Sequence, residues 1–557
     1  MNTAKPLSRE AVLQLRRSVA ARAADADARL ADALRRPLGG ASAIKEWHDL
    51  LLFVEAYPQS AAQHRLAVKG LRALREALGA RLQKDDLLRE QLRDTGLHGC
   101  DMVGIYSFAL ARWLQRHWPG RLELHSADAP HDAALTSLLP LLAAAEREVV
   151  EQLGTDTDGL LRSAFGDDAS ARLMGLIRTI TEHPMDDGLR EAVFSSLQPY
   201  LNIIAEERSP SLTSLRVQLV EPFIHEQALE RSADTARAIA EPVGESLSLT
   251  AAEERQLIRK ARMVLALMQR ETDPITYAGH AEAFDMGRGL AIALYQPDAE
   301  HRLALESYVG FMAFKNGVPL AYGGAWVFPG RSKVGINVFP ALRGGESAWF
   351  FAQLLRLYHQ RFGVAVFEAE NYQLGHGNAD GLRSGAYWFY YRLGFRPWND
   401  RLARIAAREF ERVRAGKTVP LATLKELVAD GLVLRVGEDP ASLIDTGALL
   451  RRAHHHLAAR TGMGRRKALA VMRERLCDLL GIAPAELRTK DLLLALEAWA
   501  PLCDMITGLR TWHRKDLDAV ADALRARAEG GERAYQPALR RCTKLLGAWA
   551  AMASADP

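Results

Sequence analysis

Residues Phe339 to Ala348 read Phe-Pro-Ala-Leu-Arg-Gly-Gly-Glu-Ser-Ala, a strand-like run that passes through a glycine pair into a helical pattern. A tight loop of this kind points successive backbone N–H groups outward. The helix that follows adds its positive end, so a phosphate can be held with few side chains. The same glycine pair is also an ordinary way to turn from strand to helix. Ala386 to Pro397 is a dense aromatic helix, Ala-Tyr-Trp-Phe-Tyr-Tyr-Arg, stopped by Leu-Gly-Phe. Other candidates carry less chemistry. His454, His455 and His456 are consecutive, about 100° apart around a helix, and do not converge on one ion. Gly462 to Lys467 lacks both a preceding strand and the Gly-Lys-Ser/Thr ending of a phosphate loop, and reads as a basic interhelical turn. Asp285, His280 and Glu282 fall in a short mixed-charge loop that gives no reason to expect a metal.

The surrounding elements set the frame. A chain of 557 residues exceeds one comfortable core and implies two or three domains. Helical spacing dominates residues 1–270, with capping boxes at Ser60 and Thr250. From Gly287 the texture changes to short apolar runs: 290–295, 308–314, 320–328 and 333–339, with Lys315-Asn316-Gly317 as a hairpin turn. Helical spacing returns over 348–362, a strand over 364–369 and the aromatic helix over 385–393. Residues 401–557 are helical again, apart from an isolated strand over 432–436. The net charge of +4 is spread among interspersed acids and bases, which calls for no nucleic acid. Four scattered cysteines fit buried thiols in a reducing compartment. Neither a secretory leader nor a long uncharged apolar run is present, so the expectation is a cytoplasmic protein without a membrane span.

Phe389-Tyr390-Tyr391-Arg392-Leu393-Gly394-Phe395 resembles the FYxxLGF ending of Gcn5-related N-acyltransferases (GNAT). The Arg343-Gly344-Gly345 loop falls where that family binds the acyl-CoA pyrophosphate, at the end of its fourth strand. The resemblance covers about a fifth of the chain. It implies an α+β multidomain protein, with a central mixed α/β GNAT-like sheet over 271–400 flanked by all-helical regions over 1–270 and 401–557. It further implies that the backbone of Leu342, Arg343, Gly344, Gly345, Glu346 and Ser347 cradles the pyrophosphate. The backbone of Asn337, Val338 and Phe339 would follow the pantetheine arm and polarise the thioester carbonyl. Tyr390 would protonate or hydrogen-bond the departing thiolate; the general base would be Glu368, Glu370 or Asp380, the nearest after the fifth strand, with Glu306 and His376 behind them. The implied activity is N-acyl transfer from acetyl-CoA or another acyl-CoA to a primary amine, without a metal. Two departures stand out. Glu346 occupies a loop position where the family has glycine, and a carboxylate there would cap the helix and repel a pyrophosphate. The 370–384 loop is also longer than usual. The alternatives are a non-catalytic binding module, or a donor carried on aminoacyl-tRNA or an acyl carrier protein.

Overall fold

The structure, a computed structural model, describes residues 5–118, 121–152, 155–438, 444–459 and 461–554. It is α+β. A small antiparallel sheet has the order β1-β3-β2, from β1 (Met102–Ile105), β2 (Arg121–Ala127) and β3 (Pro199–Ile204). The main sheet comprises β4 (Ala278–Asp285), β5 (Leu290–Pro297), β6 (Ser307–Lys315), β7 (Val318–Phe328), β8 (Arg331–Val338), β9 (Val366–Ala369), β10 (Arg396–Pro397) and β11 (Leu432–Arg435). Its order is β10-β11-β9-β8-β7-β6-β5-β4, antiparallel throughout except for the β8–β9 pair.

Helices cover both faces of this sheet, which is why its strands read as unbroken apolar runs. Side chains alternate between the faces. Ile292, Leu294, Phe311 and Ala313 pack with Phe350, Leu354 and Tyr358 of the Ser347–Phe362 helix. Ala293, Tyr295, Met312 and Phe314 pack with Met263 and Leu267 of the Ala251–Leu267 helix and with the small-sheet region. The hairpin between β6 and β7 turns at Asn316 and Gly317, both with positive φ, as the Asn-Gly pair requires. Thr250 opens the Ala251–Leu267 helix with a reciprocal capping box.

Two expectations are corrected. The region before residue 270 is not all-helical, because it carries the small sheet. Its strands are four to seven residues long, and Glu123 and His125 alternate with buried Leu122 and Leu124, so charged positions hide the strand signal. The strand near 432 is not isolated: β11 slots between β9 and β10. The cores also cross the expected boundaries. Leu15, Leu50 and Tyr57 share one with the sheet, and Leu305 and Phe328 join Trp499 and Trp549 in another. Among the described residues, no helix is long and apolar enough to cross a membrane.

Candidate functional site

The segment after β8 makes a single helical turn at Pro340–Leu342 before the Ser347–Phe362 helix begins. The two glycines serve different ends. Gly344 has φ +85° with open space around it, so the backbone turn demands it. A Cβ on Gly345 would lie 2.5 Å from the Tyr57 ring, so packing against the N-terminal helices demands that one. The helix starts without a side-chain cap, leaving the N–H groups of its first turn without intrahelical acceptors. Ser347 and Ala348 form part of the wall of a cavity of about 460 Å³. Four arginines, Arg16, Arg231, Arg343 and Arg392, line the same cavity beside Phe53 and Phe389. Arg16 also donates to the Ala341 carbonyl at 3.1 Å, tying the first helix to the loop. A cavity with this lining attracts an anion with several negative oxygens.

Glu346 does not face that cavity. Its side chain is 1 % exposed and turns inward, accepting from Lys315 Nζ at 2.8 Å, Arg288 Nη2 at 2.5 Å and the Glu230 N–H at 3.0 Å. It neither caps the helix nor opposes an anion, contrary to the expectation from sequence. Burial pushes its carboxyl up, but the charge and hydrogen bond of Lys315 outweigh that and leave it below the usual carboxylate range. Lys315 is itself 1 % exposed and lies over the rings of Tyr57, Phe223 and Trp349. Burial lowers it to about 8, against the pull of Glu346. His225 completes the cluster with Nδ1 3.7 Å from Glu346 and no hydrogen bond at either ring nitrogen; burial and the charge of Lys315 lower it to about 4.

The remaining predicted residues lie along β8 and β9. The β8–β9 ladder spans only Arg331–Lys333 opposite Val366–Glu368, so the rest of β8 lacks a strand partner on that side. Groups in a strand alternate in direction. The Phe339 N–H goes to Leu320 on β7 and its carbonyl to Leu342 N–H, and Asn337 shares that orientation. Ile336 and Val338 are therefore the residues whose backbone faces the gap, one position out of step with the sequence reading for two of its three residues. Arg343 Nε donates to the Val338 carbonyl at 3.4 Å. Tyr390 is buried among Phe351, Phe389 and Phe395; burial pushes its phenol up, opposed by the Ile336 N–H. It does not line the arginine cavity. A Cβ on Gly335 would meet Gln373 Nε2 at 2.8 Å, so this glutamine covers the face of β8 at that position.

Glu368 and Glu370 sit beside Lys333, five residues or about 16 Å along β8 from Val338. Glu370 pairs with Lys333 at 3.0 Å. Burial raises the Glu368 carboxyl, against the charges of Arg331 and Lys333. Glu306 is held by Arg331 and Thr446, Asp380 pairs with Arg383, and His376 is exposed. His456 bonds Asp504 at 2.9 Å while His454 and His455 face outward. No group of three or more potential metal ligands converges among the described residues. Sequence reasoning missed Arg16, Arg231 and Ile336; Arg392 lay within the aromatic motif without a role. Comparisons with known protein families, with curated proteins and with solved structures find no match to this chain.

Proposed function

We propose that the protein is an N-acyltransferase of GNAT type that takes its acyl group from an acyl-CoA. The observation that carries this reading is the uncapped N-terminus of the Ser347–Phe362 helix opening into the four-arginine cavity. It suits a pyrophosphate, and the inward turn of Glu346 removes the one charge that opposed it. The truncated β8–β9 ladder supports a slot for the pantetheine arm. Bound there, the cofactor would supply a thioester. The Ile336 and Val338 backbone would orient its carbonyl. Tyr390, kept protonated by burial, would hydrogen-bond the leaving thiolate, while Glu368 lies about 16 Å along β8 from Val338 and the amine proton would leave to water. Titration with acetyl-CoA tests the reading. Arg343→Ala and Arg392→Ala should each weaken binding about tenfold or more, the loss of a charge-assisted hydrogen bond. No binding by the native protein would refute it.

The same arginines favour a second reading, in which the acyl group arrives on a carrier with extended negative surface. Binding of such a carrier but not of free acetyl-CoA would select it.

A further inference from the structure

Residues 446–480 hold eight basic and two acidic side chains, a net of +6 in a chain whose total is +4, so the other 522 residues sum to −2. The fold gathers part of this charge at the turn between the Thr446–Ala458 and Arg465–Leu480 helices. Arg465, Arg466 and Lys467 are all exposed, and their side chains form no hydrogen bond or ion pair with another described residue. The two acids of the segment, Glu474 and Asp478, lie about 10 and 16 Å further along the helix from Lys467. Like charges at neighbouring positions repel, and the positive end of a helix disfavours cations, so this cluster lowers stability as it stands.

Its setting is rigid and its approach is open. Met472 and Leu476 of the same helix share the C-terminal core with Trp499, so the cations stand on a fixed element. A Cβ on Gly462 or Gly464 would meet no atom within 4 Å. None of these residues lines the arginine cavity. Successive side chains diverge by about 100°, so Arg465 and Lys467 reach out on nearly opposite sides with Arg466 between them. A flat anionic surface such as a lipid bilayer meets this fan on one side only. A groove with phosphates along both walls meets all of it. The major groove of duplex DNA, about 12 Å wide, admits an α-helix, whereas that of an A-form RNA duplex is too narrow. We propose that the first turn of the Arg465–Leu480 helix enters the major groove of duplex DNA, with Arg465 and Lys467 on the phosphates of its two walls and Arg466 turned to the base edges.

The test uses the full chain and a fluorescein-labelled DNA duplex of mixed sequence, followed by anisotropy. Two phosphate contacts predict saturable binding that weakens about tenfold between about 50 and 200 mM salt. Replacing Arg465, Arg466 and Lys467 together by alanine should weaken binding at least about tenfold at the lower salt, and Lys467→Ala alone should reduce the salt slope by about 0.9. All three positions are exposed, and urea unfolding checks that the variants keep the native fold. Alanine at Arg401, Arg404 and Arg408, three exposed arginines of the Asp400–Arg414 helix, should leave binding unchanged. The proposal is overturned if the native protein does not bind the duplex saturably, if the Arg465–Lys467 replacement binds like the native protein, or if the Arg401–Arg408 replacement weakens binding as much. Equal affinity for an RNA duplex of the same sequence, or tighter binding to phosphatidylserine vesicles, also overturns it.

Discussion

Replacing Glu346 by glutamine isolates the role of the buried cluster. The change keeps the side-chain shape but leaves Lys315, and in part Arg288, without a counter-charge in a site from which water is excluded. Removing one partner of a buried ion pair typically destabilises by about 3–5 kcal/mol. Here the loss has a ceiling, because Lys315 can shed its proton. Its ordinary value is 10.5, so holding it neutral at pH 7 costs about 1.36 × 3.5, or about 4.8 kcal/mol. At pH 9 the ceiling drops to about 2 kcal/mol. Urea unfolding of native and Glu346→Gln proteins at both pH values measures the difference. Hydrogen exchange over 339–350 should report faster opening of the loop. Adding Lys315→Met to Glu346→Gln should recover much of the loss, since no buried lysine charge is then stranded. A penalty below about 1 kcal/mol at pH 7, or one that does not shrink by pH 9, refutes the reasoning.

His225 gives an acid counterpart. Its folded value of about 4 lies under the ordinary 6.5, so the unfolded chain binds more protons between them and stability falls as pH drops through that window. The loss approaches about 3 kcal/mol near pH 4, and His225→Phe should flatten this part of the curve in denaturation at stepped pH. Gly345→Ala should cost about 1–3 kcal/mol by crowding Tyr57, measured by chemical denaturation, and a Tyr57→Val background should relieve it. Gly344→Ala, in open space, should cost about 1 kcal/mol from backbone strain alone, with no dependence on residue 57. Tyr390→Phe should lower turnover more than acetyl-CoA affinity, read as a split between kcat and KM.

The strands of the main sheet were legible wherever both faces are covered, because a run such as Leu290 to Tyr295 needs no polar positions. The Asn316-Gly317 turn, the Ser347 helix and the aromatic helix were legible from local signals. The small sheet was not, since Leu122 and Leu124 are its sparse apolar markers in β2. The direction of Glu346 could not be read from its neighbours. It is set by Lys315 on a hairpin and by Glu230 on an irregular segment, and no local pattern joins those positions. Arg16 and Arg231 were invisible for the same reason: each reaches the cavity from an element distant in sequence. The parity of β8 depends on its register with β7, which composition does not encode.

The contact between Tyr57 and Gly345 has a kinetic consequence. Residues made early in synthesis wait for a loop nearly three hundred positions later, and contacts of such separation form slowly. A partly folded chain therefore presents no finished arginine-lined cavity: the loop takes its shape only once the first helices have docked. The proposed acetyl-CoA binding would appear late in refolding, after most secondary structure has formed, and a fragment begun near residue 271 would lack Arg16, Arg231 and the surface that shapes the turn.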